Sequence, residues 1–458
     1  MPRVASSMSA PAALIHPRFG LVRRVVRQPT PPELPAAFVA YSADVADTRR
    51  FAPWIADRYA FGATLGSDEG ARDAALGEAV ERYCANAVPH GLRAASYLDL
   101  LTAGEPAVDP AEWVLYSSAQ YATSDFPFVP MTADLRVRWV EGRDLASGRP
   151  VLVPASLAYL NFRHPTYASE PPTNGVILPG IAAGRSREDA ERAAIAEIVE
   201  RDAVTLWWQR NEPAIRVRWQ SSRRLQALLA PRSPASRITY EVFAIPSEFG
   251  APVIGALLDD PDRAIVTMGS ACRADPLAAI AKALTEAIQL RAFSVDLLDA
   301  DSRIWRGARS GLHDQRCFFP YRADRSYLDC VTEHFAEAED FATHAQLYLD
   351  RRMREHLERI TAAEDEVDPS DLPRLAGEER GALLRRLAEC GRRVVSVDVT
   401  TSDVAATGLR VVRVLVPGLY PNAPAAFPFH GGSRLCEPAA GGARLTVGDL
   451  VRAPIPAI

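Results

Sequence analysis

Lysine is all but missing from this chain: of 52 basic residues 51 are arginine, and the single lysine is Lys282. A P-loop lysine or a Schiff-base lysine could therefore only be Lys282, and no Gly-rich loop precedes it. Cysteine is sparse as well. Cys84, Cys272, Cys317, Cys330, Cys390 and Cys436 include no Cys-x-x-Cys pair, which argues against a zinc site or a disulfide framework. No run of about 18 apolar residues occurs, and no continuous apolar stretch stands before Pro11, so a membrane span and a secretory signal are both disfavoured. Residence in the cytoplasm is expected. A basic excess is lacking too: the formal charge is -5 and the pI near 6.0, which leaves no footprint for unspecific nucleic-acid binding.

What the chain does have is 458 residues, 48% of them hydrophobic, enough for one large core or for two or three packed subdomains. One pattern recurs three times, as Glu78-x-x-Glu81-Arg82, Glu197-x-x-Glu200-Arg201 and Glu286-x-x-Gln289-x-Arg291. Residues three apart on a helix share a face, so each segment aims two oxygen-bearing side chains the same way. Taken singly, Glu78 with Arg82 and Glu197 with Arg201 are ordinary i,i+4 ion pairs on a solvated face. The neighbours are apolar, however: Ala75, Leu76, Ala79 and Val80 around the first pair, Ala194, Ile195, Ile198 and Val199 around the second, Ala283, Leu284, Ala287 and Ile288 around the third. Buried carboxylates need a counter-charge, and divalent metal holding a polyphosphate would satisfy three acidic faces at once.

Local signals place these pairs on helices. Ser67 caps the first after Gly66, Ser186-x-x-Asp189 reads as a capping box for a second running to about Gln209, and Asp275-Pro276 opens a third running to about Val295. Strands are expected at Phe19–Val26, Ile238–Ile245, Val253–Leu258, Val394–Thr400 and Leu409–Val416, with a hairpin over Trp139–Pro154 turning at Ser147-Gly148. Residues 1–60 read as a lead segment and 61–458 as the main domain. Within it, 360–380 is expected to be a mobile loop and 437–458 an extended, Pro-containing tail.

At these residues the chain resembles the YcaO family. The resemblance rests on Ala75 to Arg82, on Asn174-Gly175 followed by Gly184 and Glu197 to Ala203, and on Asp275-Pro276 with Ala283 to Arg291. Trp139 to Leu145, Val153 to Ala155, Val397 to Thr400 and Val416-Pro-Gly-Leu419 match further blocks, in order, across roughly residues 60 to 430. It implies an α/β (α+β) fold of β-sheets with Ala-rich helices that form an ATP and Mg2+ site. It also implies an ATP-dependent cyclodehydratase: a Cys, Ser or Thr side chain of a ribosomally made precursor peptide adds to the preceding amide carbonyl, the oxygen is phosphorylated, and phosphate leaves an azoline. Carried over residue by residue, Glu78, Glu81, Glu197 and Glu200 become metal ligands. Arg82, Arg201 and Arg291 become phosphate contacts, Glu286 and Gln289 metal or nucleotide contacts, and Asp189 a nucleotide contact, Asp189 serving equally well as a cap alone. Glu78, Glu197 and Arg291 are the expected catalytic residues.

Departures from the family pattern fall at Gly62 to Gly66, where many members carry a lysine, at Ala74, Ala75, Ala193 and Ala194, where a hydroxyl is common, and at Arg185, where the turn often ends in Asn. Residues 1–60 are too short for a leader-binding domain, so a separate leader-binding partner protein is expected, with a flavin dehydrogenase and homodimerisation as further expectations. Thioamide formation, amidine macrocyclisation and a non-catalytic scaffold role are the alternatives. Cys/His nucleophilic catalysis through Cys84, Cys436 and His430 has no recognisable motif, and His430 reads better as part of a structured turn.

Overall fold

The computed structural model describes residues 11–52, 54, 56–163, 165–312, 314–437 and 443–457. Residues 1–10 of the lead segment, and 438–442 and Ile458 of the tail, lie outside the described residues. The chain first builds an antiparallel three-stranded sheet from β1 (Val22–Arg27), β2 (Phe38–Val45) and β3 (Tyr59–Leu65), and Gly66-Ser67 then turns it into helix α1 (Asp68–Asn86). The lead thus supplies two of the strands that back α1, and the boundary drawn at residue 60 falls inside β3.

A second sheet is entered at β4 (Arg93–Ala95), continues through the hairpin of β5 (Val137–Asp144) and β6 (Pro150–Pro154), and reaches β7 (Ile181–Gly184), which leads through Arg185-Ser186 into α2 (Arg187–Gln209). The third sheet contains β8 (Ile215–Val217), β9 (Thr239–Ile245), β10 (Val253–Asp260) and β11 (Ile265–Cys272), the last of which feeds α3 (Pro276–Leu298). Then come β12 (Glu366–Val367), helix α4 (Glu379–Glu389), β13 (Val395–Asp398) and β14 (Arg410–Leu415). β12 joins the third sheet, in the order β11-β10-β9-β8-β12, whereas β13 and β14 complete the second, in the order β4-β5-β13-β14-β7. The mixed α/β class expected from the sequence is borne out.

All three acidic helices start where the capping residues predict. Ser67 Oγ accepts from Gly70 N at 2.9 Å, Ser186 Oγ from Asp189 N at 3.0 Å and Asp275 Oδ1 from Leu277 N at 3.2 Å, each cap contributing about 1 kcal/mol. The second sheet is covered on both faces, and the two-residue period of β14 sorts its side chains: Val412 and Val414 join the core with Ile195 and Val199 of α2, while Val411 and Leu415 join Val80 and Cys84 of α1. Arg413 falls between them, fully buried.

Two segments read as loose are fastened. Within 360–380, β12 pairs parallel with β8, Asp368 bonds Arg218 at 2.6 Å, and Leu372 and Leu375 are buried, so the acidic run is neutralised and its apolar residues anchored. The tail is docked by its carbonyls: Trp208 Nε1 donates to Ala453 O at 2.7 Å, Tyr348 Oη to Pro454 O at 2.8 Å and Met268 N to Pro456 O at 2.8 Å.

Helix and strand approach closely where small residues meet. A Cβ at Gly269 in β11 would lie 2.2 Å from Ala283 O and 2.5 Å from Ala287 N of α3, whereas one at Gly77 of α1 would meet nothing within 4 Å. Gly269→Ala should therefore destabilise the fold by about 2–3 kcal/mol through backbone overlap, and Gly77→Ala should stabilise it by about 0.5–1 kcal/mol through helix propensity. Urea unfolding of both variants checks this, and midpoints moving in the same direction would refute the close-packing account.

Candidate functional site

The strands around them hold the acidic pairs. On α1, Glu78 Oε2 accepts from Phe61 N of β3 at 2.8 Å, and Glu81 Oε1 accepts from Ala183 N of β7 at 2.7 Å. On α2, Glu197 Oε2 accepts from Gly180 N just ahead of β7 at 2.9 Å, while Glu200 accepts from Ser270 Oγ at 2.6 Å and Cys272 N at 3.2 Å in β11. In both helices the first acid bonds the strand segment leading into its own helix, and the second bonds the strand leading into the next. Charge-assisted bonds of this kind set the side-chain directions before any ligand arrives. On α3 the first acid, Glu286, pairs instead with Lys282 Nζ one turn back, at 3.0 Å.

Glu78, Glu81, Glu197 and Glu286 line one cleft of about 1970 Å3, with Gln289, Arg82, Arg201, Lys282 and Arg291 on its walls. Burial pushes Glu81 up to about 7, and the like charges of Glu197 and Glu78 add to the effect. Burial also raises Glu78 and Glu200. Glu286 goes the other way, because Lys282 and Arg201 outweigh its desolvation. Arg82 lies 3.7 Å from Glu78 and 3.6 Å from Asp57, and Arg201 lies 3.7 Å from Glu200.

A carboxylate pushed up to about 7 by burial and by two acidic neighbours marks a site short of positive charge, so the donor set fits a cation. Among the described residues no three His, Cys, Asp or Glu side chains form a ready-made metal cage. That suits Mg2+, which takes one or two carboxylates and completes its octahedron with water and phosphate oxygens. Arg82, Arg201 and Lys282 on the same walls suit the phosphates.

Not every expected site residue reaches the cleft. Glu200 is buried with both oxygens bonded, and Asp189 is exposed at the start of α2, where its N–H bonds Ser186; neither lines the cleft. Arg291 is committed to carboxylates, its Nε donating to Asp260 at 2.9 Å and its Nη2 to Asp260 at 2.6 Å and Glu33 at 2.9 Å. The guanidinium is thereby paired with two acids while still lining the cleft. Arg185, the departure at the second turn, bonds Asp73 of α1 at 3.2 Å. Lys282 was passed over for want of a Gly-rich loop; its position four residues before Glu286 was the available signal. Cys84 is buried against Thr401 on α1, and its thiol is pushed up to about 11 by burial. His430 is buried as well, and burial pulls its imidazole down to about 4. No helix among the described residues is long and apolar enough to cross a membrane.

A family model described as YcaO cyclodehydratase, ATP- and Mg2+-binding, matches residues 64–420. An uncharacterized protein of Methanothermobacter thermautotrophicus is 27% identical over 361 residues, 76% of this chain and 78% of that one. A heterocyclase solved in complex with substrate and cofactor superposes with TM-score 0.70 at 20% identity, over 97% of this chain and 56% of its own, so the chain spans little more than half of that protein. The YcaO protein of Methanopyrus kandleri, solved with AMPPCP and Mg2+, gives TM-score 0.52 at 20% identity over 88% of this chain and 90% of that one.

The Glu81 shift has a consequence for stability without ligand. Its folded value of about 7 lies above the ordinary 4.5, so this group's contribution is fully present below about pH 4.5 and is lost as pH rises through about 7. Urea unfolding of the ligand-free protein should show a loss on the order of 1–3 kcal/mol from this group between about pH 5 and 7.5. Glu81→Gln should flatten that slope; an unchanged slope in the variant would remove Glu81 as its source.

Proposed function

Because the chain belongs to the YcaO family, as the match over residues 64–420 shows, we propose that it is an ATP-dependent cyclodehydratase acting on backbone amides of a ribosomally made precursor peptide. The observation that carries this reading is the set of glutamates from three helices lining one cleft beside Arg82, Arg201 and Lys282. Glu78, Glu81 and Glu197 would hold Mg2+, each with one carboxylate oxygen already fixed by a backbone N–H. Glu286 and Gln289 would contact the nucleotide, with Lys282, Arg82 and Arg201 on its phosphates. Bound ATP would supply the phosphoryl group that turns a poor leaving oxygen into a good one, with Mg2+ offsetting its charge.

The chain's own residues then have two tasks. Arg82 and Arg201 spread the negative charge that develops at the transferred group, which counts for more in a half-dehydrated cleft than in water. The buried Glu200 keeps Arg201 beside the cleft from behind, at 3.7 Å. Asp189 donates its backbone N–H to the capping Ser186, and Arg291 fixes α3 against β10 through Asp260 rather than acting on phosphate. A leader-binding partner protein, a precursor peptide with Cys, Ser or Thr beside the activated amide, and residence in the cytoplasm complete the proposal.

Incubation with Mg2+, ATP, the precursor peptide and the partner should release ADP and remove one water per ring from the peptide mass. Glu197→Gln should lower both signals on the order of 100-fold or more while the circular dichroism spectrum stays unchanged. Wild-type ATP turnover in that variant would rule out the metal assignment, and exchange of oxygen for sulfur in the product would transfer the reading to thioamide formation.

A further inference from the structure

Behind the cleft lies a second, smaller chamber of about 50 Å3, and Arg201 and Pro179 line both spaces. Its walls are largely apolar, with Leu115, Leu157, Ile177 and Leu419 among them, and they include no carboxylate. Three of the lining residues carry buried nitrogens with no hydrogen-bond partner among the described residues: Trp113 at Nε1, Arg201 at Nε, and Arg413 at Nε and Nη2. Every one of these four nitrogens is a donor, and three belong to the cations Arg201 and Arg413.

Arg413 is the anomaly that calls for a ligand. It sits on β14 with no exposed surface, and its one hydrogen bond runs from Nη1 to Leu178 O at 3.2 Å. No acid stands within ion-pair distance of it among the described residues, and Glu197 is the acid whose field reaches it. Burial lowers the guanidinium to about 10, so it stays charged at neutral pH. An unpaired buried cation is among the costliest groups a fold can carry. The chamber's one phenol gives no relief, since Tyr420 Oη already donates to Gly431 O at 2.7 Å.

We propose that the chamber is an oxyanion site that takes one orthophosphate. A tetrahedral oxyanion offers several acceptors at once and brings the missing negative charge, which neither water nor a neutral ligand does. The size agrees: about 50 Å3 is room for roughly three to five waters at 10–15 Å3 each, comparable to a five-atom anion. Arg201 stands between this chamber and the cleft. Phosphate released at the nucleotide would therefore pass from one guanidinium to the next, and this role in product release, though not the binding itself, rests on the ATP-dependent reading above.

The binding is tested without turnover. Equilibrium dialysis of the purified chain against radiolabelled orthophosphate, with saturating ADP and Mg2+ present, should find one equivalent bound. Arg413→Met should weaken that binding about tenfold or more, by loss of charge-assisted bonds, while the melting temperature holds or rises because a buried unpaired charge has gone. Trp113→Phe keeps the ring and removes one donor, and should weaken binding about fivefold. No phosphate bound beside ADP, or binding that neither variant alters, would overturn the proposal. So would displacement of the phosphate by ADP, since it would then occupy the nucleotide's place. If phosphate binds as expected but no ATP is consumed with any peptide, the site stands and the functional reading falls, which keeps the two failures apart.

Discussion

Everything in the cleft depends on how closely three helices approach the strands that precede them. Gly62 and Gly269 lie mid-strand in β3 and β11, and Gly184 closes β7 against the first turn of α2. A Cβ there would lie 2.1 Å from Ala75 N, 2.5 Å from Ala190 N and 2.2 Å from Ala283 O. Alanine on the helix and glycine on the strand let the two backbones come together. A side chain as short as glutamate can then reach a strand N–H, as Glu78 reaches Phe61 and Glu81 reaches Ala183. Larger residues at either surface would hold the helix off and leave the carboxylates to rotate in solvent.

That arrangement concentrates like charge. Burial and the charges of Glu197 and Glu78 raise the proton affinity of Glu81, and Arg82 compensates only in part, while Arg291 is spent on Asp260 and Glu33. The resting site is thus less stable than an apolar core of the same shape. Binding of a cation and polyphosphate reverses the sign of that term, and the ligand's affinity is coupled to the stability of the protein that holds it. Arg413 repeats the logic with opposite charge: a buried cation beside an acid-free chamber.

Much of this was legible along the chain because its signals are local. A cap acts on a residue two or three positions away, so Ser67, Ser186 and Asp275 marked the helix starts correctly. β-branched runs marked β13 and β14, and the spacing of Glu78 and Glu81 put both on one helical face. The ordered motifs carried the family, and with it the kind of site. β11 went unread, since its Ile265 to Cys272 run is buried throughout and lacks the alternation that marks a half-exposed strand. The acidic 360–380 stretch looked loose because the arginine that neutralises Asp368 stands 150 residues earlier.

Sequence thus decided which helices form, where they begin and which residue types they carry, since those choices depend on neighbours within a turn or two. Which oxygen of which glutamate faces the cleft was decided by the packing of the three sheets. The same Glu-x-x-Glu spacing yields a cleft-lining Glu81 and a walled-in Glu200, because β7 offers one N–H to the first and β11 offers a hydroxyl and an N–H to the second. The fate of the arginines was settled in the same way. Arg82 and Arg201 line the cleft, Arg291 is neutralised by acids more than 30 residues away in sequence, and Arg413 is buried without one. A charge finds its partner through space, and only the folded chain brings the partner near.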